Sequence, residues 1–176
     1  MNFHTDYFSL FALPRRFTLD VSVLDEKYRS LQEKIHPDRF VQADKETQHL
    51  SLQWATQVNK AYRILKNPLS RAHYLLHLQG HDIGLTNNFS MSDAFLGEQI
   101  KWRETVFEAK NASRLDELAA LDVDIKKHLA KVYEDLAHSI DGQENYDRAM
   151  DCVRQLIFFE KLQADLDDVM ASLEEC

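Results

Sequence analysis

The sequence is poor in helix breakers: its 176 residues include only four glycines and three prolines. Leu, Ala, Gln, Glu and Lys are abundant, and no stretch alternates apolar and polar residues as a half-buried strand does, so an all-α protein is predicted. There are two cysteines, Cys152 and Cys176, with no C-x-x-C pair, which argues against a cysteine zinc site. Cys152 falls within an apolar helical pattern and reads as a small core side chain in a reducing compartment. No basic start and apolar run opens the chain, and no apolar stretch reaches the length of a membrane span. The expectation is a soluble cytoplasmic protein that does not engage a membrane. A G-x-x-x-x-G-K-[ST] run is missing, so ATP binding is not expected. Asp165, Asp167 and Asp168 lack the glycine and spacing of a calcium loop. His73, His77 and His81 come close to a metal spacing, but no carboxylate or cysteine completes a set. No metal, no other cofactor and no catalytic residue is expected.

Charge is unevenly placed. The net charge is −8, yet residues 1–80 carry 11 Lys and Arg against 8 Asp and Glu, whereas residues 81–176 carry 10 against 21. The acidic second half disfavours nucleic-acid binding, which needs counter-charge to phosphate. The asymmetry suggests two modules with different partners.

In the first half, the aromatic block Asp6-Tyr7-Phe8-Ser9-Leu10-Phe11 ends at Pro14 and reads as a short helix or turn. Asp20 or Ser22 can cap a helix whose Leu24, Tyr28, Leu31 and Ile35 form one apolar stripe, with Asp25 and Glu26 in its first turn. That helix stops at His36. A second helix spans about Asp44 to Lys66, with Leu50, Trp54, Val58, Ala61 and Leu65 inward, and Asn67-Pro68 breaks it. A further short helix covers Ser70 to Leu78 and ends at Gly80.

Between the two long helices stands His36-Pro37-Asp38. Proline cannot continue the preceding helix, so the tripeptide is a turn at the tip of a helical hairpin. A charged, rigid tip suits contact with another protein better than catalysis.

Residues 81–91, with Gly84 and Thr86-Asn87-Asn88, read as a linker between residues 1–80 and 92–176. After a cap at Ser92, Phe95, Trp102 and Val106 mark one helix face and Leu96, Ile100, Arg103 and Phe107 another. Leu115, Leu118, Ile125, Leu129, Val132 and Leu136 mark a second helix, and Asp141-Gly142 a turn. Val153, Leu156, Phe159, Leu162, Leu166 and Met170 mark a last helix over about Gln143 to Leu173. Three such helices make an antiparallel bundle. A helix apolar on two sides cannot bury both in a small bundle, so Leu96 and Ile100 are expected outside, with Phe158, beside the core-facing Phe159, as a second outward candidate.

These residues resemble a known family. Asp6–Pro14, Tyr28-Arg29-Ser30-Leu31-Gln32 leading into His36-Pro37-Asp38-Arg39-Phe40, Asn59–Leu65, Pro68 and Arg71–Leu76 are similar to a J-domain. Together with Ala94-Phe95-Leu96 and Arg154–Phe158, they make nearly the whole chain resemble the HscB family of J-domain co-chaperones in iron–sulfur cluster assembly. The resemblance implies that His36, Pro37 and Asp38 dock on a DnaK- or HscA-like ATPase chaperone and stimulate it. Lys27, Arg29, Lys34 and Arg39 would supply positive charge toward an acidic chaperone surface. It also implies that the C-terminal three-helix bundle binds an IscU-type iron–sulfur scaffold protein through Leu96, Ile100 and Phe158, with Glu104 at the rim. Gly97 and Lys101 depart from the family pattern at that surface, where a bulky Met and an acidic residue are common. Some eukaryotic relatives carry an N-terminal cysteine-rich zinc module; this sequence has none, which points to a bacterial type. Other readings are a J-domain protein serving a general folding chaperone, a non-enzymatic helical adaptor, and a metal-dependent helical enzyme using His73 and His77.

Overall fold

The computed structural model describes residues 5–81 and 93–174, with side chains of the second segment from Phe95 onward. The expected linker and the Ser92 cap fall almost wholly outside them, as does Cys176. All regular elements among the described residues are helical: α1 Tyr7–Leu10, α2 Val21–Ile35, α3 Lys45–Lys66, α4 Pro68–Leu78, α5 Asp93–Asn111, α6 Leu115–Ala137 and α7 Tyr146–Glu174. A 3₁₀ turn, Pro37–Phe40, joins α2 to α3, and a π turn, His138–Gly142, follows α6. The chain divides into two compact units, Met1–His81 and Asp82–Cys176. No helix among the described residues is long and apolar enough to cross a membrane.

In the first unit, α2 and α3 pair as an antiparallel hairpin, and α1 and α4 pack on α3. Asp20 caps α2, accepting from Ser22 and Val23 backbone N–H groups, and Asp44 caps α3 through Thr47. These side chains satisfy donors that the first helical turn leaves open. Leu24, Leu31, Ile35, Trp54, Val58, Ala61, Leu65, Leu75 and Leu76 form the core, with Phe8 closing one side. Tyr28, expected on the apolar stripe, is only half-buried. Its ring stacks on Tyr62 at 3.9 Å, and its hydroxyl donates to Asn59 Oδ1 at 2.9 Å. Tyr62 in turn donates to Asp25, which also takes Lys66, so a polar seam ties α2 to α3 along one edge.

Two local features differ from expectation. Leu50 does not point into the core but is 45% exposed. It lines a small apolar cavity with Ile35, Phe40 and Trp54 instead of being fully covered. Asp25 and Glu26 fall after the first turn of α2, which holds no acidic residue. Asn67 and Pro68 break the chain as expected, Asn67 capping α4 through Ser70 N–H. Gly80 adopts φ +81, and His81 N–H reaches back to Leu76 O at 2.9 Å, so the glycine ends α4 in a left-handed cap.

The second unit is a bundle of α5, α6 and α7, in which α7 packs on both others. Leu118, Ile125, Leu136, Val153, Leu156 and Leu166 are almost fully buried. An aromatic cluster fills the space between α5 and α7: Phe95, Trp102, Phe158 and Phe159, with His128 of α6 at its border. The turn at Asp141-Gly142 extends further than expected, and α7 starts at Tyr146, with Asn145 Oδ1 accepting from Arg148 N–H. Arg148 pairs with Asp135 at 2.8 Å across this corner. Cys152 is buried, which pushes its thiol up to about 11 and leaves it an inert core group.

Candidate functional site

The His36-Pro37-Asp38 turn is exposed, yet its backbone is held. An α-helix ends with carbonyls that lack partners. Here the Ile35 carbonyl accepts from the buried Ser51 hydroxyl of α3 at 2.7 Å, and the Glu33 carbonyl accepts from the Arg39 guanidinium at 2.9 Å. The His36 carbonyl accepts from Arg39 N–H at 3.0 Å. Pro37 occupies the first position of the 3₁₀ turn, where its missing N–H costs nothing. Downstream, the Gln48 side-chain amide donates to Val41 O and Ala43 O. The turn is therefore anchored on both sides, and little conformational freedom remains to be lost on docking.

At the tip, the Asp38 side chain is 85% exposed and that of His36 51%. The His36 Nδ1 accepts from Asp38 N–H at 3.3 Å, which in the neutral ring leaves the proton on Nε2. The same Nδ1 lies 3.5 Å from the Asp38 carboxylate. The geometry presents a carboxylate acceptor toward solvent beside an imidazole. A small apolar cavity of about 110 Å³ lies beneath, lined by Ile35, Phe40, Leu50 and Trp54 among others.

Of the basic residues, Lys27 and Lys34 lie seven apart on α2 and share one flank. Arg29, two residues from Lys27, is turned about 160° away from it, on the side of Asp25, whose carboxyl it helps to hold down. Arg39 belongs to the turn itself and serves as the cap of α2 described above. All four are exposed, but they do not form one patch.

On α5, Leu96 (42% exposed) and Ile100 (58%) do face outward, and Glu104 beside them is exposed. Phe158 does not. It is only 7% exposed, wedged against Phe95 and Trp102. A helix packed on two neighbours buries more than half its circumference, so the adjacent Phe158 and Phe159 both turn inward and both meet Phe95 and Trp102. The outward residue at this level of α7 is the preceding one, Ile157, at 48%. Sequence reasoning missed it because periodicity was applied as though α7 had a single buried face. His73 and His77 are exposed on α4, and no cluster able to hold a metal occurs among the described residues.

An exposed His-Pro-Asp turn at the tip of a two-helix hairpin, in a chain that also carries a separate helical bundle, defines a J-domain protein. A family profile described as the HSCB C-terminal oligomerisation domain matches residues 91–167. The co-chaperone protein HscB homolog of Azoarcus sp. is 46% identical over 169 residues, covering 96% of each chain; that of Aromatoleum aromaticum is 44% identical with the same coverage. Among solved structures, the chaperone HscB from Vibrio cholerae superposes with a TM-score of 0.82 at 35% identity, covering 96% of this chain and 99% of that one. The human co-chaperone HscB gives 0.87 at 27% identity over 95% and 83%. The chain belongs to the HscB co-chaperone family.

Proposed function

We propose that this protein stimulates the ATPase of an HscA-type chaperone through His36, Pro37 and Asp38, and delivers to it an IscU-type scaffold protein for cluster transfer. In this reading residues 1–80 form the J-domain, residues 81–91 the linker and residues 92–176 the scaffold-binding module, and the work is done in the cytoplasm. The observation that carries it is the anchored turn with the Asp38 side chain exposed at its tip. An ionised carboxylate held at a fixed position can pair bidentately with an arginine of the chaperone. The protein performs no chemistry; by binding one conformation of the chaperone better than another it shifts the chaperone's equilibrium. Lys27 and Lys34, sharing a flank, speed encounter with an acidic surface, while Arg29 and Arg39 contribute less because of their placement.

Leu96, Ile100 and Glu104 take the scaffold. Phe158 contributes from beneath, by holding α5 on α7. The test is steady-state ATPase of the chaperone as the scaffold is titrated in. Leu96→Ala combined with Ile100→Ala should raise the scaffold concentration needed at least tenfold and leave the stimulation without scaffold unchanged. An unaltered scaffold titration would contradict the assignment of that face.

A further inference from the structure

The apolar stripe on α5 does not stop at Ile100. Phe107, seven residues on, returns to within about 20° of the same line and is 67% exposed, more than Leu96 or Ile100. At the other end the face is thin. A Cβ placed on Gly97 would meet nothing within 4 Å, so a side chain is missing there although the space for one is open. From Gly97 to Phe107 is about 15 Å along the helix, and Phe107 is the most exposed of the apolar residues on this face.

Charge around Phe107 is divided, with cations on one side of the stripe and Glu104 and Glu108 on the other. One turn before it, the Arg103 guanidinium lies over the Phe158 ring at 5.5 Å, across the seam between α5 and α7. One turn after it comes Lys110, on the same edge of the stripe. Both are exposed, and neither pairs with a carboxylate among the described residues. The opposite edge carries Glu104. An exposed phenylalanine bordered by two available cations fits an apolar side chain accompanied by a carboxylate. Aromatic side chains with few rotatable bonds make efficient anchors, because little side-chain entropy is lost when they are covered.

We propose that Phe107 is a further and dominant anchor of the scaffold-docking surface, and that Arg103 and Lys110 beside it select a partner segment whose apolar residue is flanked by an acid. The inference rests on the scaffold-binding reading above. It differs by moving the energetic centre of the surface from the Leu96 level toward the C-terminal end of α5.

Calorimetric titration of an IscU-type scaffold into the full chain tests it. Phe107→Ala should weaken binding at least tenfold, and by no less than Leu96→Ala. Phe107→Trp should retain affinity, and Lys110→Glu should weaken it severalfold, more strongly at low salt. Helical circular dichroism should be unaltered, since Phe107 lies outside the buried core of the bundle. If Leu96→Ala with Ile100→Ala weakens binding while Phe107→Ala does not, the inference is overturned and the scaffold-binding face stands. If none of these variants changes affinity, both fall. An equal loss in Val123→Ala, exposed on α6 rather than on α5, would show a nonspecific apolar effect and also overturn it.

Discussion

The two exposed surfaces of this protein are built in opposite ways. The His36-Pro37-Asp38 tip is polar, a few residues long, and fixed through its backbone by side chains of the adjoining helix, Ser51 and Gln48, and by its own Arg39. The α5 face is apolar, several turns long, and fixed only because α5 as a whole is packed on α6 and α7. The first is specified by a tripeptide and fails by losing a group or an anchor. The second is specified by periodicity and fails by losing area. One surface encodes a shape in a few positions, and the other encodes adhesion spread over a helix.

Variants can break this contrast or sharpen it. The largest effect is expected where the α5 face meets its support. Phe158→Ala should cost the bundle about 3–5 kcal/mol in denaturant unfolding, while Ile157→Ala stays within about 0.5 kcal/mol. Equal small effects would mean that Phe158 is a surface residue after all. Next comes the anchor of the tip. Ser51→Ala leaves the Ile35 carbonyl buried without its partner and should cost about 1–3 kcal/mol, with faster hydrogen exchange at the Arg39 amide and reduced chaperone stimulation. Smaller still, Lys27→Glu with Lys34→Glu should slow association with the chaperone in stopped-flow experiments, with little change in dissociation and a weaker dependence on salt. Arg29→Glu, on the other side of α2, should do less.

The smallest effect is an acid sensitivity of the first unit. Burial pushes the Asp6 carboxyl up, but Arg15 at 2.8 Å and the Ser9 hydrogen bonds outweigh it and bring the group to about 2, below its ordinary 3.8. A carboxyl depressed in the folded state stabilises above its unfolded value and loses that contribution as the pH falls through the folded one. Stability of the first unit should therefore decline between about pH 4 and pH 2, and Asp6→Asn should remove that part of the decline in acid titrations followed by circular dichroism.

The elements most legible in the sequence were those marked by a single residue with a local physical cause. Pro37 stopping α2, Asn67-Pro68 breaking the chain after α3, and Gly80 capping α4 each rest on backbone chemistry that tertiary context does not override. The all-helical class was equally plain, because breakers are so few. Less legible was anything that depended on how many neighbours a helix has. Leu50 kept the apolar spacing of α3 but is only half-covered beside the 3₁₀ turn. Phe158 broke the spacing of α7 yet is buried, because α7 has two partners rather than one. Arg39 read as one more positive charge, and its bond to the Glu33 carbonyl could not be foreseen from composition. The outward placement of Leu96 and Ile100 was legible, since a helix apolar on two faces in a three-helix bundle must leave one of them uncovered. Phe107 lies on the same stripe, but its exposure and its cationic border came only from the structure.

The most direct test of the account is the steady-state ATPase rate of an HscA-type chaperone with this protein carrying Asp38→Asn. The account predicts that stimulation is lost while the helical content and scaffold affinity of the variant match those of the unaltered chain. Full stimulation by the variant would contradict it.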